Sequence, residues 1–130
     1  MLVPMDKNAL IEYSLVGDEG DNKTIFRLGY LNSRQKAALA IQSKKSTKDT
    51  EENSIWWFDI IRFGLRGWTN FKLSNGNEYE FKTDKAIISG FGEFVVMHQD
   101  CFEAFTLDQV AELAGKLYEL NYIPVMEKKS

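Results

Sequence analysis

The sequence predicts a single α+β domain spanning residues 1–130, and three stretches carry that prediction. Near the N-terminus two apolar runs with a period of two flank a polar turn, the pattern of an antiparallel hairpin. Residues 53–82 hold all three tryptophans, Trp56, Trp57 and Trp68, and predict an aromatic central helix followed by a short Asn-Gly hairpin. Residues 106–121 combine a capping pattern with a regular apolar stripe, the mark of a C-terminal amphipathic helix. With 44% hydrophobic and 27% charged residues, a chain of 130 residues can bury one core without disulfides or metal.

The first run, Leu10–Val16, places Ile11, Tyr13 and Leu15 on one face and Glu12 and Ser14 on the other. Gly17–Lys23 is turn chemistry, with two glycines, three acids and nothing to bury. The second run, Thr24–Tyr30, aligns Phe26, Leu28 and Tyr30. At Leu31 the period changes. Asn32 or Ser33 can cap a short helix whose apolar content is Ala37, Leu39, Ala40 and Ile41. Residues 43–53 contain no apolar side chain and cannot offset the entropy of ordering, so a mobile polar loop is expected there.

Asn53 or Ser54 then caps the expected central helix, whose stripe is Trp57, Ile60, Ile61, Gly64, Leu65 and Trp68. Asp59 can pair with Arg62 one turn on. Gly64 and Gly67 leave room for a close backbone approach, and Gly67 is a candidate terminator. Trp56, Phe58 and Phe63 lie off the stripe, so this helix is apolar on more than one face. One small core cannot use both, and these three residues are therefore the expected protein interface. Asn75-Gly76 suits a type I′ turn between Phe71/Leu73 and Tyr79/Phe81. A short helix is expected over Lys85–Ser89, stopped at Gly90–Gly92. Phe94, Met97, Cys101 and Phe105 fall at helical spacing, which places Glu93–Phe105 in a helix although the Phe94–Met97 run favours a strand. Thr106 and Gln109 form a capping box before a stripe running from Leu107 to Leu120, with Glu112 on the polar side. Asn121 can close the helix before Pro124.

The chemistry-bearing residues are few. His98 and Cys101 would share a helical face, but a structural zinc needs four ligands and the chain has no other His or Cys. Gly90-Phe91-Gly92 opens like a nucleotide loop, but Val95 stands at the third glycine position. Glu51 and Glu52 lie in the polar stretch, where no burial raises a carboxylate for acid–base work. No catalytic, cofactor or metal site is expected, and the chain reads as no enzyme. A net charge of −3 argues against nucleic acid, and the adjacent Trp56 and Trp57 project about 100° apart on a helix, too far to form one stacking platform. One cysteine fits a reducing compartment. The opening MLVPMDKNAL lacks a basic segment followed by an apolar one, so no secretory leader is expected. No run reaches the ~18 apolar residues of a membrane span.

An aromatic helix runs into Gly64, Leu65, Arg66, Gly67, Trp68 and Asn70. Asn75 and Gly76 follow in a turn, then Glu80 and Phe81, then a helix with Val110, Glu112, Leu113 and Ala114. In this layout the chain resembles the small tail assembly chaperone-like proteins of tailed bacteriophages, whose N-terminal strand pair and helix it also reproduces. It departs from their pattern at Glu80, where they often carry proline, and Glu93–Phe105 has no clear counterpart. The resemblance implies a non-catalytic protein that binds an apolar helical tail protein during virion morphogenesis, in the host cytoplasm or retained in the virion. A small structural component of the neck or tail, and a phage-encoded inhibitor of a host protein, are the alternatives. A second copy of the chain is another expected partner.

Overall fold

The computed structural model describes residues 2–6, 8–44 and 51–123. In chain order the elements are β1 (Leu10–Tyr13), β2 (Ile25–Gly29), α1 (Ser33–Lys44), α2 (Glu51–Gly64), β3 (Leu65–Thr69), β4 (Thr83–Ile88), β5 (Gly92–Met97), a 3-10 helix (Gln99–Ala104) and α3 (Leu107–Tyr122). The fold is α+β, as expected. Strands β1, β2 and β3 form an antiparallel sheet in that order, and β4 pairs with β5 in a separate two-stranded ribbon. No helix among the described residues is long and apolar enough to cross a membrane.

The N-terminal hairpin forms in the expected phase. Tyr13 stands opposite Phe26, and Ile11 opposite Leu28. Phe26 and Leu28 are buried, while the alternate residues face outward. The chain then adds a third strand where the sequence predicted helix. Helix α2 ends at Gly64, and Leu65–Thr69 pairs with β2. The register shifts between Arg27 and Leu28: Leu28 faces Leu65, Arg27 faces Gly67, and Arg66 is the extra residue of a bulge. Residues three apart in a regular strand point to opposite faces. The inserted residue returns Leu65 and Trp68 to the same buried face, which is why their spacing imitates a helical stripe. Glycine at position 64 lets the buried Leu117 of α3 pack close, because a Cβ there would stand 2.5 Å from Leu117 Cδ2 and force that side chain to shift.

The turn at Asn75-Gly76 is not type I′. Only Gly76 has positive φ, at 88°, and the amide of Gly76 donates to the Leu73 carbonyl while that of Leu73 donates to Asn77. This is a three-residue loop closed by a glycine bulge, and a single bridge between Lys72 and Glu78 follows it. The helix expected over Lys85–Ser89 is strand β4, and the helix expected over Glu93–Phe105 is β5 as far as Met97 and becomes helical, as the 3-10 turn, only over Gln99–Ala104. Phe94 and Val96 face inward along the ribbon. Met97 lies on the other face, yet is buried at the ribbon's end, where β5 reaches α2 and Arg62 Nε donates to the Met97 carbonyl at 3.0 Å. Burial of both faces at a strand end produced the helical spacing of Phe94, Met97 and Cys101.

Two helix starts are as expected. Asn32 and Gln35 bond reciprocally before α1, with Asn32 Oδ1 accepting from the Gln35 amide at 2.8 Å. Thr106 and Gln109 do the same before α3. Helix α2 starts earlier than expected, at Glu51, so Asn53 and Ser54 lie within it. The ends of the expected 43–53 loop are helical, and its middle, 45–50, lies outside the described residues, as does Pro124. Asp59 makes no ion pair with Arg62, whose guanidinium turns to Met97. Burial pushes the Asp59 carboxyl up, and the Arg62 charge offsets part of that rise.

Helix α3 is tied to the sheet by polar groups as well as apolar ones. Asn121, expected only as a helix end, is buried. Its Oδ1 accepts from the Leu31 amide at 2.7 Å, and its Nδ2 donates to Leu117 and Gly29 carbonyls. Glu112, expected on the polar side, accepts from Tyr13 Oη at 2.6 Å and from the Val16 amide at 2.8 Å. The core that results joins Phe26, Leu28, Leu39, Ile60, Ile61, Leu65, Leu113 and Leu117 from five of the elements.

Candidate protein-binding surface

The three residues expected to form an interface go to three different places. Phe63 is buried at 4% exposure with its ring edge-on to Phe94, 5.4 Å between centroids, so it belongs to the core and is corrected out of the interface. Its helix face looked surplus because β5, which covers it, was expected to be helix. Phe58 is half-buried and meets Phe102 of the 3-10 helix edge-on at 4.6 Å. Trp56 is half-buried near the start of α2, packed edge-on against Tyr118 of α3 at 5.5 Å and near Tyr122 at 6.3 Å.

Trp56 therefore belongs to an aromatic strip that sequence reading missed. Tyr118 and Tyr122 are one helical turn apart on α3 and stack at 5.3 Å, with 16° between their planes. Lys36 of α1 stands 5.0 Å above the Tyr122 ring, and its ammonium donates to the Asn121 carbonyl at 2.6 Å. Burial, and then the neighbouring Tyr118, push the Tyr122 hydroxyl pKa up. Tyr118 remains 44% exposed. The signal lies in the spacing of Tyr118 and Tyr122 four residues apart, but Tyr118 also falls within the apolar stripe expected over Leu107–Leu120. An aromatic strip of this kind offers apolar area, with few rotors left to freeze, to a helical partner.

The residues weighed for chemistry are committed elsewhere. Cys101 is buried, and its Sγ lies 3.8 Å from the Lys82 carbonyl. His98 caps the 3-10 helix, its Nδ1 accepting from the Asp100 amide at 3.1 Å. The same Nδ1 lies 3.7 Å from Asp100 Oδ2. One nitrogen cannot accept from the amide and donate to the carboxylate together, so beside the shorter cap the Asp100 carboxylate is a neighbour and not a hydrogen-bond partner. Gly90-Phe91-Gly92 is the β4–β5 turn, where the Phe91 amide donates to the Ile88 carbonyl. Among the described residues no group of three or more His, Cys, Asp or Glu side chains is placed to hold a metal ion. Compared with known proteins, the chain matches no family model, no curated protein and no solved structure.

Proposed function

We propose that the chain is a non-catalytic protein of the tail assembly chaperone-like kind, which holds an apolar helical segment of a tail protein during virion morphogenesis. The observation that carries the binding part of this reading is the open aromatic strip of Trp56, Tyr118 and Tyr122 between α2 and α3. The rings are already oriented by one another, so a partner that covers them loses little further entropy. The commitment of Cys101 and His98 to structural bonds supports binding over catalysis.

The test is co-expression with a long helical tail protein encoded in the same genome, scored by how much of that protein stays soluble. The expected result is rescue by the wild type and at least a tenfold weaker complex for Trp56→Ala combined with Tyr118→Ala, as aromatic anchors usually show. No rescue, or a rescue that the double variant preserves, overturns the reading.

A further inference from the structure

The chain has four arginines, and three of them converge on one groove although the net charge is −3. A cavity of about 520 Å³ is lined by Asn32, Arg34, Arg66 and Val95, and a second of about 210 Å³ by Arg62, Arg66, Phe81 and Val95. Arg66 and Val95 line both, so the two hollows adjoin at these side chains and together make up an arginine groove. Each guanidinium is held by backbone carbonyls. Arg34 donates to Phe91 and Glu93, Arg62 to Met97, and Arg66 to Phe63 and Tyr30. Arg34 also lies 4.0 Å over the Phe94 ring, and Arg66 occupies the space above Gly29, where a Cβ would meet its Cζ at 2.6 Å. Apart from the His98–Asp100 contact, the ion pairs among the described residues are Lys85–Glu93 and Lys116–Glu119, so none of these arginines faces a carboxylate within 4.0 Å. The groove holds three fixed cations and an apolar end, and Glu93 on its rim is paired to Lys85 at 3.6 Å.

The same molecule carries the complement. The β1–β2 turn presents Glu19 and Asp21, both exposed, beside Val16, which is 85% exposed. Gly17 and Gly20, with φ of 91° and 99°, have no other atoms within 4 Å of where a Cβ would stand, so the outer side of this turn is open, while its base is tied to α3 by the Val16 amide and Glu112. It lies at the far end of the hairpin from the groove. Asn8, which also lines the groove, precedes β1, and Tyr30, whose carbonyl holds Arg66, follows β2. Strands of four and five residues separate the two ends, roughly 13–17 Å at the usual rise per residue. A chain cannot bring its own turn into its own groove.

We infer that the arginine groove receives the Val16–Asp21 turn of a second copy of this chain, with Glu19 and Asp21 meeting Arg34 and Arg66 and Val16 entering beside Val95. Arg34 and Arg66 spend Nε and Nη2 on carbonyls, which leaves Nη1 of each to donate a charge-assisted bond to a carboxylate. A nucleic acid strand fits less well, because of the rings that line the groove Phe94 is buried and Phe81 half-buried, which leaves no open platform for bases, and Glu93 stands at the rim. Made head to tail, such a contact repeats from copy to copy and builds a chain or a ring. This inference is independent of the aromatic strip, since no residue belongs to both surfaces.

The experiment is sedimentation velocity of the purified full-length protein from micromolar to millimolar concentration, at low and at high salt. The expected result is growth through dimer and trimer that weakens with salt. Two groove variants, Arg34→Ala and Val95→Glu, each weaken it at least tenfold, as does the turn variant Glu19→Gln with Asp21→Asn. Val95 is 66% exposed, so its variant tests the groove even if Arg34→Ala loosens the β4–β5 turn. A mixture of a groove variant with the turn variant still has one intact contact, and it stops at a dimer. A wild type that stays monomeric at millimolar concentration, a dimer indifferent to these variants, or a mixture that stays monomeric overturns the inference.

Discussion

Two clusters of the same residue types stand in different states. Trp68 is 5% exposed and lies at the centre of five rings, Phe26, Phe71, Tyr79, Phe81 and Phe105, at centroid distances from 4.9 to 6.2 Å. Its indole N–H donates to the Tyr79 carbonyl at 2.5 Å. Trp56 meets two rings, Tyr118 and Tyr122, and is only half-buried. The first cluster draws on β2, β3, the loop after β3 and Phe105, which caps the 3-10 helix, so it is closed by segments distant in sequence. The second draws on two helices alone. An aromatic side chain is closed or left open by how many separate segments reach it, not by its own hydrophobicity.

The largest effect should come from the closed cluster. Trp68→Ala should destabilise the fold by about 3–5 kcal/mol, because it leaves a cavity under five rings and an unpaired Tyr79 carbonyl. Urea unfolding measures this directly, and a loss below about 1 kcal/mol would mean the cluster is not the core. Trp56→Ala should cost only about 1 kcal/mol, the scale of one aromatic pair with modest burial. If the two variants lose equal stability, the strip is core and the contrast fails.

The smallest effect concerns Tyr13, which links β1 to α3. Burial, and then the hydrogen bond to Glu112, push its hydroxyl from 10.0 up to about 12. A raised folded value means its contribution is fully present below pH 10 and is lost as pH rises towards about 12. Ultraviolet titration should therefore find a tyrosine that ionises well after the unfolded chain's tyrosines, and Tyr13→Phe should remove that late step. If the step survives in Tyr13→Phe, a different tyrosine carries it.

The sequence by itself determined the α+β class, the phase of the β1–β2 hairpin and the capped start of α3. Each depends on residues within a few positions of one another, such as the Thr106–Gln109 box or the alternation of Phe26 and Leu28. Only the tertiary structure decided that Leu65–Thr69 and Gly92–Met97 are strands. A bulge at Arg66 and two-sided burial at Met97 gave both stretches helical spacing, and the partners that override it, β2 and α2, lie far away in sequence. The same holds for the surfaces. Phe63 is core because β5 covers it, and Arg34, Arg62 and Arg66 share a groove because α1, α2 and β3 meet there. Periodicity reports which side chains leave water, while the segment that covers each of them is set by long-range packing.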